Sequence, residues 1–291
     1  MYYIVYGLLY AISLLPLKIL YLISDFSYLL LYNIGYRKKV VFSNLRQAFP
    51  HKSEEERKKI AKKFYRNFAD NFIEFIKLVS ASPAFINKHF YGDYSLPLKL
   101  YEQEKRCEVL LAHNFNWEWA CFAGPLTIKH LFLVVYMPIN NKVLDKVFIK
   151  VRSKTRCILL PATEMRNAIL PYRNELYLLV LVADQNPGNP ANAYWFNFFG
   201  KATPFVKGPE SGARRRGIAV LFCTIRKVRR GYYESFFEML EEMPATLKEG
   251  ELTKRYVHSL QNFISEYPEM WLWSHRRWKW DWKKEYGEII T

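Results

Sequence analysis

His113 and Glu118 frame four residues in the stretch "LLAHNFNWEWA", directly after an apolar run. An imidazole held by a carboxylate is a general base. The carboxylate on one ring nitrogen fixes the tautomer and raises the basicity of the other. On one continuous helix a five-residue step turns by ~140°, so the two side chains meet only if His113 lies in the turn before a helix and Glu118 in its first turns. Such a dyad is the orienting half of a catalytic triad without the protein nucleophile. It suits taking a proton from a substrate hydroxyl, which then attacks an acyl carbonyl. The same spacing also serves a structural hydrogen-bonded pair.

The elements that must position these residues alternate from residue 107 onward. "CEVLLA" reads as a strand, "NWEWACFAGPLTIK" as a helix, "LFLVVYM" as a strand and "KVLDKVFIKVRSK" as a helix. "CILLPA" is a strand, "EMRNAILPYRN" a helix interrupted by Pro171, and "LYLLVLVAD" a fully apolar strand. A loop over 186–193 and a helix near 207–215 precede the strands "IAVLFCTI" and "GYYESFFEML", and "KEGELTKRYVHSLQNFISEY" is the last helix. This predicts an α/β fold with a largely parallel central sheet covered by helices on both faces. Ligands gather at the carboxyl ends of such strands, where His113 lies and where Asp184 and Gln185 follow the most apolar strand. Upstream, residues 37–80 read as helical. Pro50 closes one helix, and Ser53 with Glu56 forms a capping box opening the next. Ile60, Phe64, Phe68, Phe72, Phe75 and Ile76 then recur as one buried stripe.

The 291 residues carry 43 Lys+Arg against 27 Asp+Glu, a net charge of +16, and 51% are apolar. That composition excludes a disordered chain and calls for an acidic partner: nucleic acid, anionic lipid or an acidic carrier. Cys107, Cys121, Cys157 and Cys223 form no C-x-x-C pair, which predicts small core residues in a reducing compartment.

Residues 1–17 carry no charged side chain, and Lys18 and Asp25 are the only charges before Arg37. Without an early basic residue or an A-x-A site, this is not the pattern of a secretory signal. It reads as a membrane anchor over 1–36, spanning the bilayer, dipping into it or lying in the interface as aromatic-rich helices. The alternative is a buried helix of a soluble core. Arg37-Lys38-Lys39 follows, which by the positive-inside rule puts the body, 37–291, in the cytoplasm.

Several motifs together resemble the bacterial lipid A late acyltransferases, the lauroyl and myristoyl transferases of the lysophospholipid acyltransferase superfamily. They are "RKKVVFSNLRQAFP", the dyad in "HNFNWEW", "VVYMPINNKVLDKVFIKVRSK", "ADQNPG", "NFFGKATPFVKG" and "PEMWLWSHRRWKW", spread from about Arg37 to Trp280. The resemblance implies a glycerolipid acyltransferase-like fold at the bacterial inner membrane. It implies transfer of an acyl group (not aminoacyl) from an acyl-carrier-protein or acyl-CoA thioester to a hydroxyl on a phosphorylated glycolipid, the lipid A precursor of lipopolysaccharide biosynthesis. No metal or organic cofactor is expected. His113 would be the base and Glu118 its orienter. Of the basic residues in the helix after "INN", Lys150 and Arg152 fall nearest a family arginine, and Arg152 suits a phosphate better because its guanidinium binds bidentately. The middle of the family's "Y-x-P" segment, often basic, is Met137 here.

Two further groups are candidate substrate contacts: Asp184 with Gln185, and Arg276 with Arg277 among five tryptophans between 271 and 282. The cations from Lys201 to Arg230 would draw an acidic carrier or phosphorylated lipid. Other lipid acceptors, a lysophospholipid or an amino-acid lipid, would use the same dyad. A non-enzymatic binder of nucleic acid or membrane is the rival class. The apolar N-terminus and the missing helix-turn-helix, RNP or zinc pattern argue against nucleic acid as a partner.

Overall fold

Pro16 divides the apolar N-terminus. The computed structural model describes residues 1–290 and begins with two helices, α1 (Tyr2–Ser13) and α2 (Leu17–Ile34), with Pro16 as the N-cap of α2. Helix α3 (Lys38–Ala48) ends before Pro50, and α4 (Glu54–Leu78) opens on the Ser53/Glu56 capping box. The stripe along α4 is buried at Ile60, Phe64, Phe68 and Phe75, whereas Phe72 is exposed. Helix α5 (Pro83–His89), the short β1 (Phe90–Gly92) and α6 (Ser95–Glu102) lead into the alternating region.

That region holds β2 (Cys107–Leu111), α7 (Trp117–Thr127), β3 (Leu131–Tyr136), α8 (Lys142–Arg152), β4 (Cys157–Pro161), α9 (Met165–Ala168) and β5 (Tyr177–Val182). The expected helix around Pro171 shrinks to the single turn of α9 with flanking 3-10 turns, because a prolyl ring removes an amide donor and clashes with the preceding turn. Then β6 (Ala193–Phe198) and β7 (Lys201–Val206) form an antiparallel hairpin that the alternation did not predict. Phe199 and Gly200 both take positive φ (52° and 76°), the geometry of a two-residue hairpin turn. Helix α10 (Gly208–Arg216), β8 (Ala219–Arg229), β9 (Tyr232–Glu241), α11 (Glu251–Glu266) and β10 (Ile289–Ile290) complete the chain.

The main sheet has seven strands in the order β1-β9-β8-β2-β5-β3-β4, parallel except where β8 meets β9. Strands β6, β7 and β10 make a second, three-stranded sheet. Alternation along β2 and β5 gives the main sheet two distinct faces. Val109, Leu111, Leu178 and Val180 meet Ala120 and Cys121 of α7. On the other face, Phe222 of β8 packs edge-on against Tyr256 of α11. Helices α1 and α2 pack on α4 and α8, the layer on the α7 side. The four cysteines are free, Cys107, Cys157 and Cys223 fully buried, and burial raises each thiol pKa.

Candidate active site

Strands β2 and β5 are neighbours in register, with Leu111 opposite Val182. His113 and Asp184 each lie two residues beyond, so the topology brings them together over 71 residues of chain. His113 Nδ1 is 2.6 Å from Asp184 Oδ1, and the His113 backbone N–H donates to Asp184 Oδ2 at 3.0 Å. Trp271 Nε1 also donates to Oδ2, at 2.7 Å. Asp184 is 1% exposed. Burial alone would raise its pKa, but the adjoining His113 and the N–H donors overcome this and hold it below the usual carboxylate range. An ionised Asp184 requires Nδ1 to carry hydrogen, which leaves the lone pair on Nε2. Trp117 stands edge-on to the imidazole, ring centroids 5.3 Å apart.

Glu118 does not hydrogen-bond His113. It lies in the first turn of α7, where the sequence places it, but its carboxylate faces α8. Arg152 Nε and Nη2 grip it at 2.9 and 2.6 Å, and Trp117 Nε1 donates to it at 3.0 Å. The expectation that Glu118 orients His113 is therefore corrected: Asp184 does so, because the strand ends converge whereas the helical step turns Glu118 away. Arg152, expected to bind a substrate anion, spends two nitrogens on Glu118. Burial works against its charge, but Glu118 more than offsets this and raises its pKa. Its Nη1 has no hydrogen bond among the described residues. Lys150, two residues earlier, is exposed.

Gln185 is half-buried and Arg276 exposed. Arg277, expected at the substrate, is fully buried. Its Nη1 donates to Asn186 Oδ1 at 2.8 Å and its Nη2 to the Pro204 carbonyl at 2.7 Å, with Phe205 stacked 4.2 Å from the guanidinium carbon. Burial lowers its pKa to about 10. Carbonyl, amide and ring partners stand in for the anion expected there, and Arg277 ties the loop after Asp184 to β7. Trp271 and Trp273 are core residues, 1% and 0% exposed, rather than headgroup contacts.

One support was invisible in the sequence. Glu74 of α4 is fully buried and accepts from Tyr21 Oη (2.7 Å) of α2, Asn116 Nδ2 (2.9 Å) and Tyr233 Oη (2.7 Å) of β9. Asn116 in turn caps α7 at the Trp119 amide, and Trp119 Nε1 donates to the Glu74 carbonyl. Glu74 thus anchors the loop that follows His113. Burial pushes its pKa up to about 7. One turn earlier, Asp70 accepts from Ser24 of α2 and pairs with Lys227 and Arg230.

The arrangement can remove a proton at Nε2. Among the described residues no hydroxyl or thiol donates to that nitrogen, and no group of three or more His, Cys, Asp or Glu could hold a metal ion. No curated protein matches the chain. The family model described as "Bacterial lipid A biosynthesis acyltransferase" matches residues 1–280. With nearly its whole length covered and an acid-steered histidine at the strand ends, the chain belongs to the bacterial lipid A biosynthesis acyltransferase family.

Proposed function

We propose that the protein moves a fatty acyl group from a phosphopantetheine thioester, on acyl-carrier protein or coenzyme A, to a hydroxyl of a phosphorylated glycolipid precursor of lipid A. The observation that carries this reading is His113 held through Nδ1 by Asp184, with Nε2 unclaimed by any nucleophile among the described residues. The proton taken at Nε2 then comes from a bound hydroxyl. Its oxygen attacks the thioester carbonyl, and the tetrahedral adduct collapses by breaking the carbon–sulfur bond. The imidazolium returns the proton to the departing thiolate, so transfer is direct, without an acyl-enzyme. Glu118 fixes Arg152, whose free Nη1 is positioned for an anionic group of the substrate.

Residues 1–36 act as the membrane-seating part and 37–291 as the acyltransferase body, on the cytoplasmic face of the inner membrane. Helix α2 has the length and composition to cross a membrane. Its outer side exposes Leu22, Phe26, Leu29 and Leu30, while its inner side is bound to α4 and β8–β9 through Tyr21, Ser24 and Asp25. A helix with one apolar face and one polar, protein-bound face lies in the interface more readily than it spans.

The test is transfer in vitro. Purified protein, an acyl-carrier-protein thioester and a phosphorylated glucosamine disaccharide lipid are combined, and product mass is read. A gain of one acyl group with release of thiol supports the proposal. Acylation of a lysophospholipid alone would move the acceptor elsewhere.

A further inference from the structure

Helix α2 is apolar on its outer side and polar on its inner one. Only Leu20 and Ser24 of its 18 residues are buried. Tyr21 Oη donates to Glu74 Oε1 and Ser24 Oγ to Asp70 Oδ1, each at 2.7 Å, and Asp25 pairs with Arg230, which also holds Asp70. Asp70 and Glu74 belong with Asn67 to a buried polar ridge on α4, where steps of three and four residues put all three on one side of the helix.

That ridge reaches both halves of the catalytic pair. Toward His113, the second oxygen of Glu74 accepts from Asn116 Nδ2 at 2.9 Å, so a single carboxylate spans from α2 to the residue three past the imidazole. Toward Asp184, Asn67 Nδ2 donates to the Glu269 carbonyl at 3.1 Å. The next two residues are Met270, whose carbonyl accepts from the Phe115 amide at 3.0 Å, and Trp271, the indole donor to Asp184. Lys227 Nζ ties Asn67 Oδ1 to Asp70 Oδ2, at 2.9 Å from each.

A helix that served only as an anchor would need none of this. Packed hydrophobic residues in place of buried ion pairs are often neutral or stabilising, so an apolar inner side would seat α2 as well. Hydrogen bonds to a carboxylate are short and directional, and they fix one placement of the partners. The fit around Tyr21 is close. The Arg230 guanidinium lies 4.3 Å from the ring centroid, and a Cβ at Gly231 would stand 2.4 Å from the hydroxyl oxygen, so glycine there leaves the hydroxyl its place.

We propose that Tyr21 is a positioning residue of the reaction: through Glu74 and Asn116, α2 holds the loop that follows His113 in its working place. The inference rests on the acyl-transfer reading above. The two sides of α2 then do separate work, the outer one for the membrane and the inner one for turnover.

The experiment is a double-mutant cycle read in turnover. Tyr21→Phe keeps the ring beside Arg230 and removes only the hydroxyl. Asn116→Ser keeps a residue that can cap α7 and removes the amide that reaches Glu74. Each should lower kcat about ten-fold, with KM for donor and acceptor within about two-fold and vesicle flotation unchanged. The double variant should match Asn116→Ser alone within about two-fold, because both changes cut one chain of contacts. A Tyr21→Phe enzyme with a lower Tm and the wild-type kcat would make the contact merely structural and overturn the proposal. Losses that multiply in the double variant would overturn the route through Asn116. Hydrogen exchange reads the same link without turnover. Tyr21→Phe should speed exchange of the amides at 114–119, and Asn116→Ser should speed it across 17–34. Exchange confined to the mutated element in both variants would contradict the proposal. A wild type that transfers no acyl group would sink the acyl-transfer reading instead, while the exchange data still report on the link.

Discussion

His113 and Asp184 occupy equivalent places on adjacent parallel strands, each two residues past the paired Leu111 and Val182, and their side chains meet at 2.6 Å. The pair is thereby built on the ends of two adjacent, buried strands in the middle of the sheet. Asp184 takes three N–H groups and so remains an ionised acceptor for the imidazole.

Asp184→Asn keeps the shape but allows the amide to donate to Nδ1, which stabilises the tautomer lacking a lone pair on Nε2. Turnover should fall about 10²–10⁴-fold, with acceptor KM changed far less. Steady-state kinetics reads the split. A loss in KM alone would mean that Asp184 binds substrate rather than orienting the base.

Glu118→Gln should act through Arg152. Breaking a buried ion pair from one side costs about 3 kcal/mol, so denaturant unfolding should show a clear loss. In Glu118→Leu/Arg152→Met stability should largely return while activity does not. Full activity in that double variant would remove Arg152 from the reaction.

Glu74 sets a pH dependence. Its folded pKa, about 7, lies above its ordinary value of 4.5, so the folded chain binds more protons between these values. Stability contributed by this group therefore falls as pH rises from about 4.5 to 7. Glu74→Gln should flatten that part of the Tm–pH curve relative to wild type. Asp184 has the opposite sign: its depressed pKa gives stability that is present above the unfolded value and is lost as pH falls through the folded one.

The outer side of α2 predicts vesicle binding without a role in the chemistry. Leu22→Ser and Phe26→Ser should each weaken membrane partition by about 1.5–3 kcal/mol, read by vesicle flotation, while far-UV circular dichroism is unchanged. Undiminished flotation would place the membrane contact elsewhere.

Much of this was legible in the sequence because strands β2 to β5 and helices α4, α7, α8 and α11 follow local patterns. The partner of His113 was not. Spacing along the chain offers Glu118, whereas adjacency of β2 and β5 is a property of sheet order. A signal did exist: "LLAH" and "LVAD" end two apolar strands in the same way, and parallel strands of equal phase bring such ends together. The β6–β7 hairpin was hidden by Pro204 within a strand and by Phe199 at a turn position that usually takes Gly or Asn. Glu74 read as one more polar position on an amphipathic helix, and only the packing of α2, α4 and β9 reveals its three donors.

The central claim is that the His113 imidazole takes the acceptor's proton. Single-turnover acyl transfer by His113→Ala, checked for an unchanged Tm and unchanged vesicle binding, tests it most directly. The account predicts a loss of about 10³-fold or more with donor and acceptor still bound. A His113→Ala enzyme that transfers the acyl group at the wild-type rate would contradict it.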